Sequence, residues 1–452
     1  MTVRASSWDS SRSGLLVDLY QLTMGESYVA EGLADSEATF SLFFRTLPPG
    51  WGFVLAAGLE DALRYVRELR YRDDDLAYLE ETGLFSEAFL DRLGRFRFTG
   101  RIRAVPEGTP VFPHEPVLEL TGQLFEAQIA ETMVLNQVHL QTLIASKAAR
   151  VVEAARGRRL VDFSLRRTHG GEAGMAVGRA SFLAGFDATS NVLAGRAYGI
   201  PIAGTMAHSY VEAFDDELEA FRAFTRAYPD DTTLLVDTYD TLEGTRRAVV
   251  VARELAERGH RLRGVRLDSG DLASLSRGTR EILDSAGFED VHVFATGALD
   301  EHAIARLLEV DAPIGGFGVG TMMGVSADAP FLDMVYKLVE LDERPVLKRS
   351  EGKATLPGRK QVWRVREAEL ASYDVVGLDG AERGGEPLLR DVMRDGETVW
   401  TEELVDARNR ARRERESLPV PVRALAAAPY DVRIDPALDE LREAIERARR
   451  ES

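Results

Sequence analysis

The chain has 452 residues, a length that domain-size statistics divide into two or three domains. An apolar fraction of 45% and a charged fraction of 29% are ordinary for a globular protein, while a net charge of -18 excludes a surface that holds nucleic acid nonspecifically. Cysteine is absent, which excludes disulfides, thiolate metal sites and cysteine nucleophiles.

The first segment, "GLLVDLYQLTMGESYVAEG", places Leu15, Leu19, Leu22 and Tyr28 at helical spacing. "ATFSLFFRTLPPGWG" reads as a strand ending in a Pro-Pro-Gly turn, and "FVLAAGLEDALRYVREL" returns to helical spacing. Between Phe96 and Leu120 short β-like runs are punctuated by Gly and Pro, which predicts a small sheet. Residues 123–155, rich in Ala, Leu and Gln, read as helical. No apolar run reaches about 18 residues, and the first residues lack the apolar centre of a signal peptide, so no membrane span is predicted and the cytoplasm is expected.

The middle of the chain is the most informative. Six times a short apolar run ends in small or polar residues and a helical pattern follows: "LVDFSLRR", "IPIAGTMAHS", "LLVDTYDT", "GVRLDSGD", "VHVFATGALDE" and "IGGFGVGT". Strands alternating with helices predict βα units and a parallel sheet. The fold class expected is α/β, an irregular (β/α) barrel with a second α/β domain built from the N-terminal and C-terminal segments. An open doubly wound sheet is the alternative, since both place their chemistry at the C-terminal ends of strands. The expected boundaries are an N-terminal domain over 1–122, the barrel over 123–330, and a C-terminal segment over 331–452 that packs back on the first. In that last segment "FLDMVYKLVELDERPVLKRS" and "GRKQVWRVRE" read as strands, "ARNRARRERES" as a solvated helical face, and "DPALDELREAIERARRES" as a helix with an Asp-Pro start.

Several clusters at the strand ends have chemistry to offer. In "GVRLDSGDL" alternation puts Arg266 and Asp268 on one face and Val265 and Leu267 on the other, so the pair serves either a small charged ligand or a structural ion pair; Asp271 reads as a helix cap. In "GGFGVGTMMG" the glycines let backbone N–H groups approach an anion and Thr321 adds a hydroxyl, or the run is merely a tight turn. Lys348, Arg349, Lys353, Arg359 and Lys360 form a basic loop in an acidic chain, suited to a phosphate-rich substrate or to a solvated hairpin. His208 in "GTMAHS" has no partner readable from spacing. HExxH, GxSxG and paired metal-ligand spacings are absent, so the metal ligands stay unknown.

"DLYQLTM", "LPPGWGFVLAAGLE", "DFSLRRTHGGEAG", "FDATSNVLAGRAYGIPIAGTMAHSYVEAF", "VDTYDT", "VRLDSGDL" and "GFGVGT" occur in the order seen in the nicotinate phosphoribosyltransferases, and from Leu15 to Trp363 the chain resembles that family. The resemblance implies joining nicotinate to phosphoribosyl pyrophosphate, giving nicotinate mononucleotide and pyrophosphate in NAD biosynthesis and salvage. It also implies Mg²⁺, ATP as co-substrate, a transient phosphohistidine, and a homodimer with shared sites. Residue by residue it implies His208 as the phosphorylated group, with Asp268 beside it in the catalytic set. Tyr20, Phe163, Arg166, Ser190, Thr205 and Arg266 would hold the pyridine substrate. Gly318, Gly320, Thr321, Lys348, Lys353 and Lys360 would hold phosphates, and Asp237 and Asp268 are the carboxylates considered for Mg²⁺.

Nicotinamide-using relatives carry aspartate where this chain has Ser190. An aspartate about 4 Å from a carboxylate would cost several kcal/mol at an effective dielectric near 20, so serine favours nicotinate. Two departures from the family pattern are His169, in place of a glutamine, and Ala298, in place of a polar residue. The alternatives are a quinolinate or nicotinamide phosphoribosyltransferase, or a catalytically silent nucleotide-binding paralogue.

Overall fold

The computed structural model describes residues 14–348 and 355–451. The chain divides into two compact units: Lys147–Asp328, and a larger unit built from the segments that end at Ser146 and begin again at Ala329. Among the described residues no helix is long and apolar enough to cross a membrane.

The smaller unit is organised by six parallel strands, β1 (Arg159–Asp162), β2 (Ala188–Thr189), β3 (Thr233–Leu235), β4 (Gly264–Leu267), β5 (His292–Ala295) and β6 (Gly316–Val319). Their order in the sheet is β2-β1-β6-β5-β4-β3. A parallel bridge from Thr189 to Ile202 extends the β2 edge. Among the described residues the sheet is therefore a half-barrel, the coarser form of the irregular barrel expected, and it keeps the βα logic. Leu160, Val161, Leu234, Leu235, Val265, Leu267, Val293, Phe317 and Val319 are buried in the strands. Each strand end then passes to a helix through a polar turn.

Those turns are capped by the residue types such turns require. Asp240, Asp271 and Asp300 accept backbone N–H groups at the starts of the helices Thr241–Glu257, Leu272–Ser285 and Glu301–Glu309. A carboxylate at this position satisfies donors the helix cannot use and sits favourably on the positive end of its dipole. Asp271 is thus the cap its spacing suggested. Short caps of this kind leave the residues just before them, 237–239 and 268–270, at the strand ends.

The larger unit carries a seven-stranded sheet that mixes both ends of the chain. Glu37–Phe44 lies antiparallel between Met334–Leu341 and Leu118–Gln123, and Arg101–Ala104 pairs in turn with Arg390–Arg394. A second sheet contains Lys360–Glu367 against Leu370–Leu378. The first boundary lies at 146/147 and not at 122/123, because Met133, Val134, Val138 and Leu143 of the helix Glu131–Ala155 are buried in the core of the larger unit. The basic helix Leu404–Ser417 is not solvated all round: Ala407, Ala411, Glu414 and Arg415 are buried, and Arg410 donates to the Glu107 carbonyl at 2.7 Å.

Candidate active site

Eight polar side chains meet at the C-terminal ends of neighbouring strands of the half-barrel. Arg266 extends from β4, and its guanidinium donates to the Thr205 hydroxyl. Asp268 follows β4. Its backbone N–H donates to Asp237 Oδ2 at 2.9 Å, and the Ser269 hydroxyl donates to the same oxygen at 2.7 Å. The Thr296 hydroxyl, just past β5, donates to Asp268 Oδ1. His208 opens the five-residue helix His208–Glu212. Its Nε2 lies 3.7 Å from Asp268 Oδ2, and its Nδ1 lies 3.2 Å from the Thr238 hydroxyl.

Two buried atoms in this cluster have no hydrogen-bond partner, Arg266 Nε and Asp237 Oδ1. A buried donor and a buried acceptor left open are costly unless a ligand completes them. Burial pushes the Arg266 guanidinium below its ordinary value, Asp268 and Asp237 oppose that shift, and the positive charge of Arg166 adds to it. Two arginines and two carboxylates held this close suit a ligand that is anionic at one end and tolerates cationic character at the other. Arg166 itself is exposed, in the turn Leu165–Arg167.

The floor of the site is aromatic. Phe163 follows β1, with its N–H on the Val319 carbonyl at 2.9 Å and its ring edge-on to Phe294 at 6.3 Å between centroids. Gly318 faces that ring: a Cβ there would stand 2.6 Å from Phe163 Cδ2 and Cε2 and from Thr296 Cγ2. Gly318, expected to cradle phosphate, is buried within β6, and its lack of a side chain clears space for the ring. Gly320 and Thr321 sit at the strand end, where the short helix Thr321–Gly324 begins. Ser190 follows β2 and donates its N–H to the Asp162 carbonyl at 2.8 Å.

Asp162, Thr238 and Thr296 were missed by sequence reasoning. Asp162 is fully buried, accepts from Ser164 N–H at 2.9 Å and from Thr189 at 2.7 Å, and ties the end of β1 to β2. Burial pushes its carboxyl above the usual range, against these hydrogen bonds. The one available signal was its place as the last residue of an apolar run. The two departures are both exposed: His169 in the loop after the Leu165–Arg167 turn, and Ala298 at a positive φ of 22°.

The remaining expected residues belong to the larger unit. Tyr20, on the helix Leu19–Ala30, has its phenol pushed up by burial and by its hydrogen bond to Glu131. Lys348 stands with Arg45 close enough to Lys337 to add to the burial that lowers the Lys337 ammonium, which makes a small cationic group. Lys360 is not available to a phosphate. Its ammonium is buried and reaches Glu119 Oε1 at 3.2 Å, the Leu356 carbonyl at 3.3 Å and the Gly358 carbonyl at 2.6 Å, which occupies all three donors. Lys353 lies outside the described residues.

Residues 15–139 match the nicotinate phosphoribosyltransferase (NAPRTase) N-terminal domain, and residues 158–358 match the nicotinate phosphoribosyltransferase (NAPRTase) family. The chain belongs to the nicotinate phosphoribosyltransferase family. Nicotinate phosphoribosyltransferase pncB2 of Mycobacterium tuberculosis is 50% identical over 418 residues, covering 92% of this chain and 90% of the relative. The Bacillus subtilis nicotinate phosphoribosyltransferase is 43% identical over 358 residues, covering 78% and 73%. The crystal structure of human nicotinic acid phosphoribosyltransferase superposes with a TM-score of 0.85 at 30% identity, covering 95% of this chain and 99% of that one.

Proposed function

We propose that this chain transfers the phosphoribosyl group of phosphoribosyl pyrophosphate to nicotinate. The products are nicotinate mononucleotide and pyrophosphate, and the reaction serves NAD biosynthesis and salvage in the cytoplasm. The observation that carries the reading is Arg266: a buried guanidinium anchored on Thr205, with one N–H left open at the mouth of a parallel sheet. A planar carboxylate matches that fork, and the aromatic face of Phe163 suits a pyridine ring. Ser190 keeps negative charge away from the substrate carboxylate, which favours nicotinate over its amide.

Bond cleavage leaves positive charge at the ribose C1 as pyrophosphate departs. The chain's part is to hold the ring nitrogen in line and to surround the reacting carbon with fixed carboxylates, Asp268 foremost. Asp237 and Asp268 fit a Mg²⁺ ion, because the buried Asp237 Oδ1 is unpartnered and such an ion takes one or two carboxylates and completes its shell from phosphates and water. When bound it would neutralise charge on the diphosphate leaving group. Gly320 and Thr321 would receive the ribose 5-phosphate.

ATP coupling is assigned to His208. The γ-phosphoryl group moves to an imidazole nitrogen, an N–P bond forms as the β,γ-bridging P–O bond breaks, and ADP leaves. Hydrolysis of that phosphohistidine returns the ring to its starting state. A homodimer in which Tyr20 of one copy reaches the pyridine ring held by the other completes the proposal.

The test incubates the enzyme with nicotinate, phosphoribosyl pyrophosphate and Mg²⁺, with and without ATP, and measures nicotinate mononucleotide and ADP. His208→Ala is run in parallel. Product that rises with ATP, and loss of that rise in the variant, supports the whole scheme. Nicotinate binding without any mononucleotide would overturn it in favour of a silent paralogue.

A further inference from the structure

We propose that Glu131 is a positioning residue for Tyr20, gripping the phenol hydroxyl so that the ring presents a fixed face to the pyridine substrate. The inference rests on the reading that Tyr20 reaches the pyridine held by a second copy, and it adds a residue which that reading does not use. Tyr20 lies in the first turn of the helix Leu19–Ala30 and is 47% exposed, so packing holds only part of its ring. Glu131 opens the helix Glu131–Ala155 and is buried. The Tyr20 hydroxyl donates to its carboxylate.

The starts of these two helices are laced together around that contact. Gln21, next to Tyr20, donates through Nε2 to the Gln128 carbonyl at 3.0 Å, and Gln128 Nε2 donates to Glu131 Oε2 at 2.6 Å. Gln21 also donates to Glu131. The Thr132 hydroxyl stands 2.6 Å from Gln21 Oε1 and 3.0 Å from Asp18 Oδ2. Two side-chain amides therefore fix the carboxylate, and Lys337 offsets part of its charge, which lets it stay buried. Burial and the same carboxylate push the Tyr20 phenol up, so the hydroxyl keeps the proton it donates.

A hydrogen bond to a carboxylate is among the stronger ones, and a carboxylate only accepts. The phenol proton is thus committed to Glu131, and what Tyr20 offers a pyridine is the face of its ring. The helix holds the Cα end of the side chain and the carboxylate holds the oxygen end. The ring is ordered before the substrate arrives, so binding does not have to supply that ordering.

The experiment uses the full-length enzyme labelled with 3-fluorotyrosine. Twelve tyrosines are present, and Tyr20→Phe assigns the signal. Fluorine spectra are compared for wild type, Glu131→Leu, Glu131→Ala and Glu131→Gln. The Tyr20 signal should move to a solvent-averaged position in Glu131→Leu and Glu131→Ala, and fall between the two in Glu131→Gln, which keeps one acceptor oxygen. In unlabelled enzyme the nicotinate KM should rise about three- to tenfold in Glu131→Leu and Glu131→Ala, the range of one hydrogen bond, with kcat within about twofold. Adding Tyr20→Phe to Glu131→Leu should raise it no further, because both remove the same contact.

An unmoved Tyr20 signal or an unchanged nicotinate KM in both Glu131→Leu and Glu131→Ala overturns the proposal, as do additive effects of Tyr20→Phe and Glu131→Leu. Two variants guard against one that does not fold. A mixed dimer of one Glu131→Leu copy and one Arg266→Met copy, purified through two tags, tests the underlying reading separately. It should show the wild-type nicotinate KM, since its one intact Arg266 faces the gripped Tyr20 of the other copy. A raised KM there would remove the reading that Tyr20 acts across copies, and the spectra would still decide the grip.

Discussion

Gly318→Ala puts one methyl group where the floor of the site is tightest. The new carbon would stand 2.6 Å from two ring atoms of Phe163 and 2.6 Å from the Thr296 methyl. Carbon atoms rest about 3.5–4.0 Å apart, so the shortfall is roughly 1 Å against each of two side chains. Neither retreats freely. Phe163 is edge-on to Phe294 and bonded through its N–H to Val319, while the Thr296 hydroxyl is bonded to Asp268. Overpacking of this kind costs about 1–3 kcal/mol, and at roughly 2–4 °C per kcal/mol for a unit of this size Tm should fall by about 2–12 °C. The nicotinate KM should rise as well, because the tilted ring is the surface assigned to the pyridine. Gly204→Ala is the control: nothing lies within 4 Å of its added Cβ, so its Tm should hold or rise slightly. Thermal unfolding of the two variants side by side is the assay. If both melt within about a degree of wild type, the packing argument for Gly318 is refuted.

Arg266→Met should raise the nicotinate KM by at least about thirtyfold, the lower end for truncating one partner of a buried charged pair; steady-state kinetics checks it. Ser190→Asp should turn selectivity toward nicotinamide, by roughly 4 kcal/mol if the new carboxylate lies about 4 Å from that of nicotinate, read as the ratio of kcat/KM values for the two substrates. Lys360→Met should lower stability by about 3 kcal/mol, since it takes the ammonium from the buried Glu119 and leaves that carboxylate the Lys360 N–H and Arg103 at 3.8 Å, and it should leave the KM for phosphoribosyl pyrophosphate within twofold of wild type (about 0.4 kcal/mol); unfolding curves and kinetics separate those effects. Glu217 has a carboxyl pushed up to about 6 by burial, against its pairing with Arg247. A raised carboxyl means that the folded state binds the proton more tightly, so this group's contribution is full below about pH 4.5 and is lost as pH rises through 6. Glu217→Gln should flatten the fall of Tm over that window.

The strand ends were legible because the signal was local. Six apolar runs end in polar turns, and Arg266 alternates with buried Val265 and Leu267 as a strand with one polar face must. Asp271 was readable as a cap for the same reason, since its partners Ala273 and Ser274 are two and three residues away. What was not legible was non-local. How far a sheet curls toward a barrel depends on strand number and stagger, which no single run records. Lys360 looked like part of a basic loop because its partner Glu119 lies 241 residues earlier. A glycine run reads alike whether it serves an anion or clears a ring, and only Phe163 across from Gly318 decides. Thr238 and Thr296 are single hydroxyls with no spacing of their own, and their meaning comes from the side chains that three different strands bring to them.

Asp237 touches no ring nitrogen and donates nothing, yet the backbone and side chain of the β4 turn both hang on one of its oxygens. The stretch that sets Thr238 against His208 is therefore the same stretch that sets Asp268. Residues 205, 208, 237, 238, 266, 268 and 296 form a unit in which few positions can change alone. A lineage drifting toward another pyridine substrate would find these positions closed to single steps, and the routes left open run through the edge of the site, at Ser190 and Arg166, where a side chain can be exchanged without unfastening its neighbours.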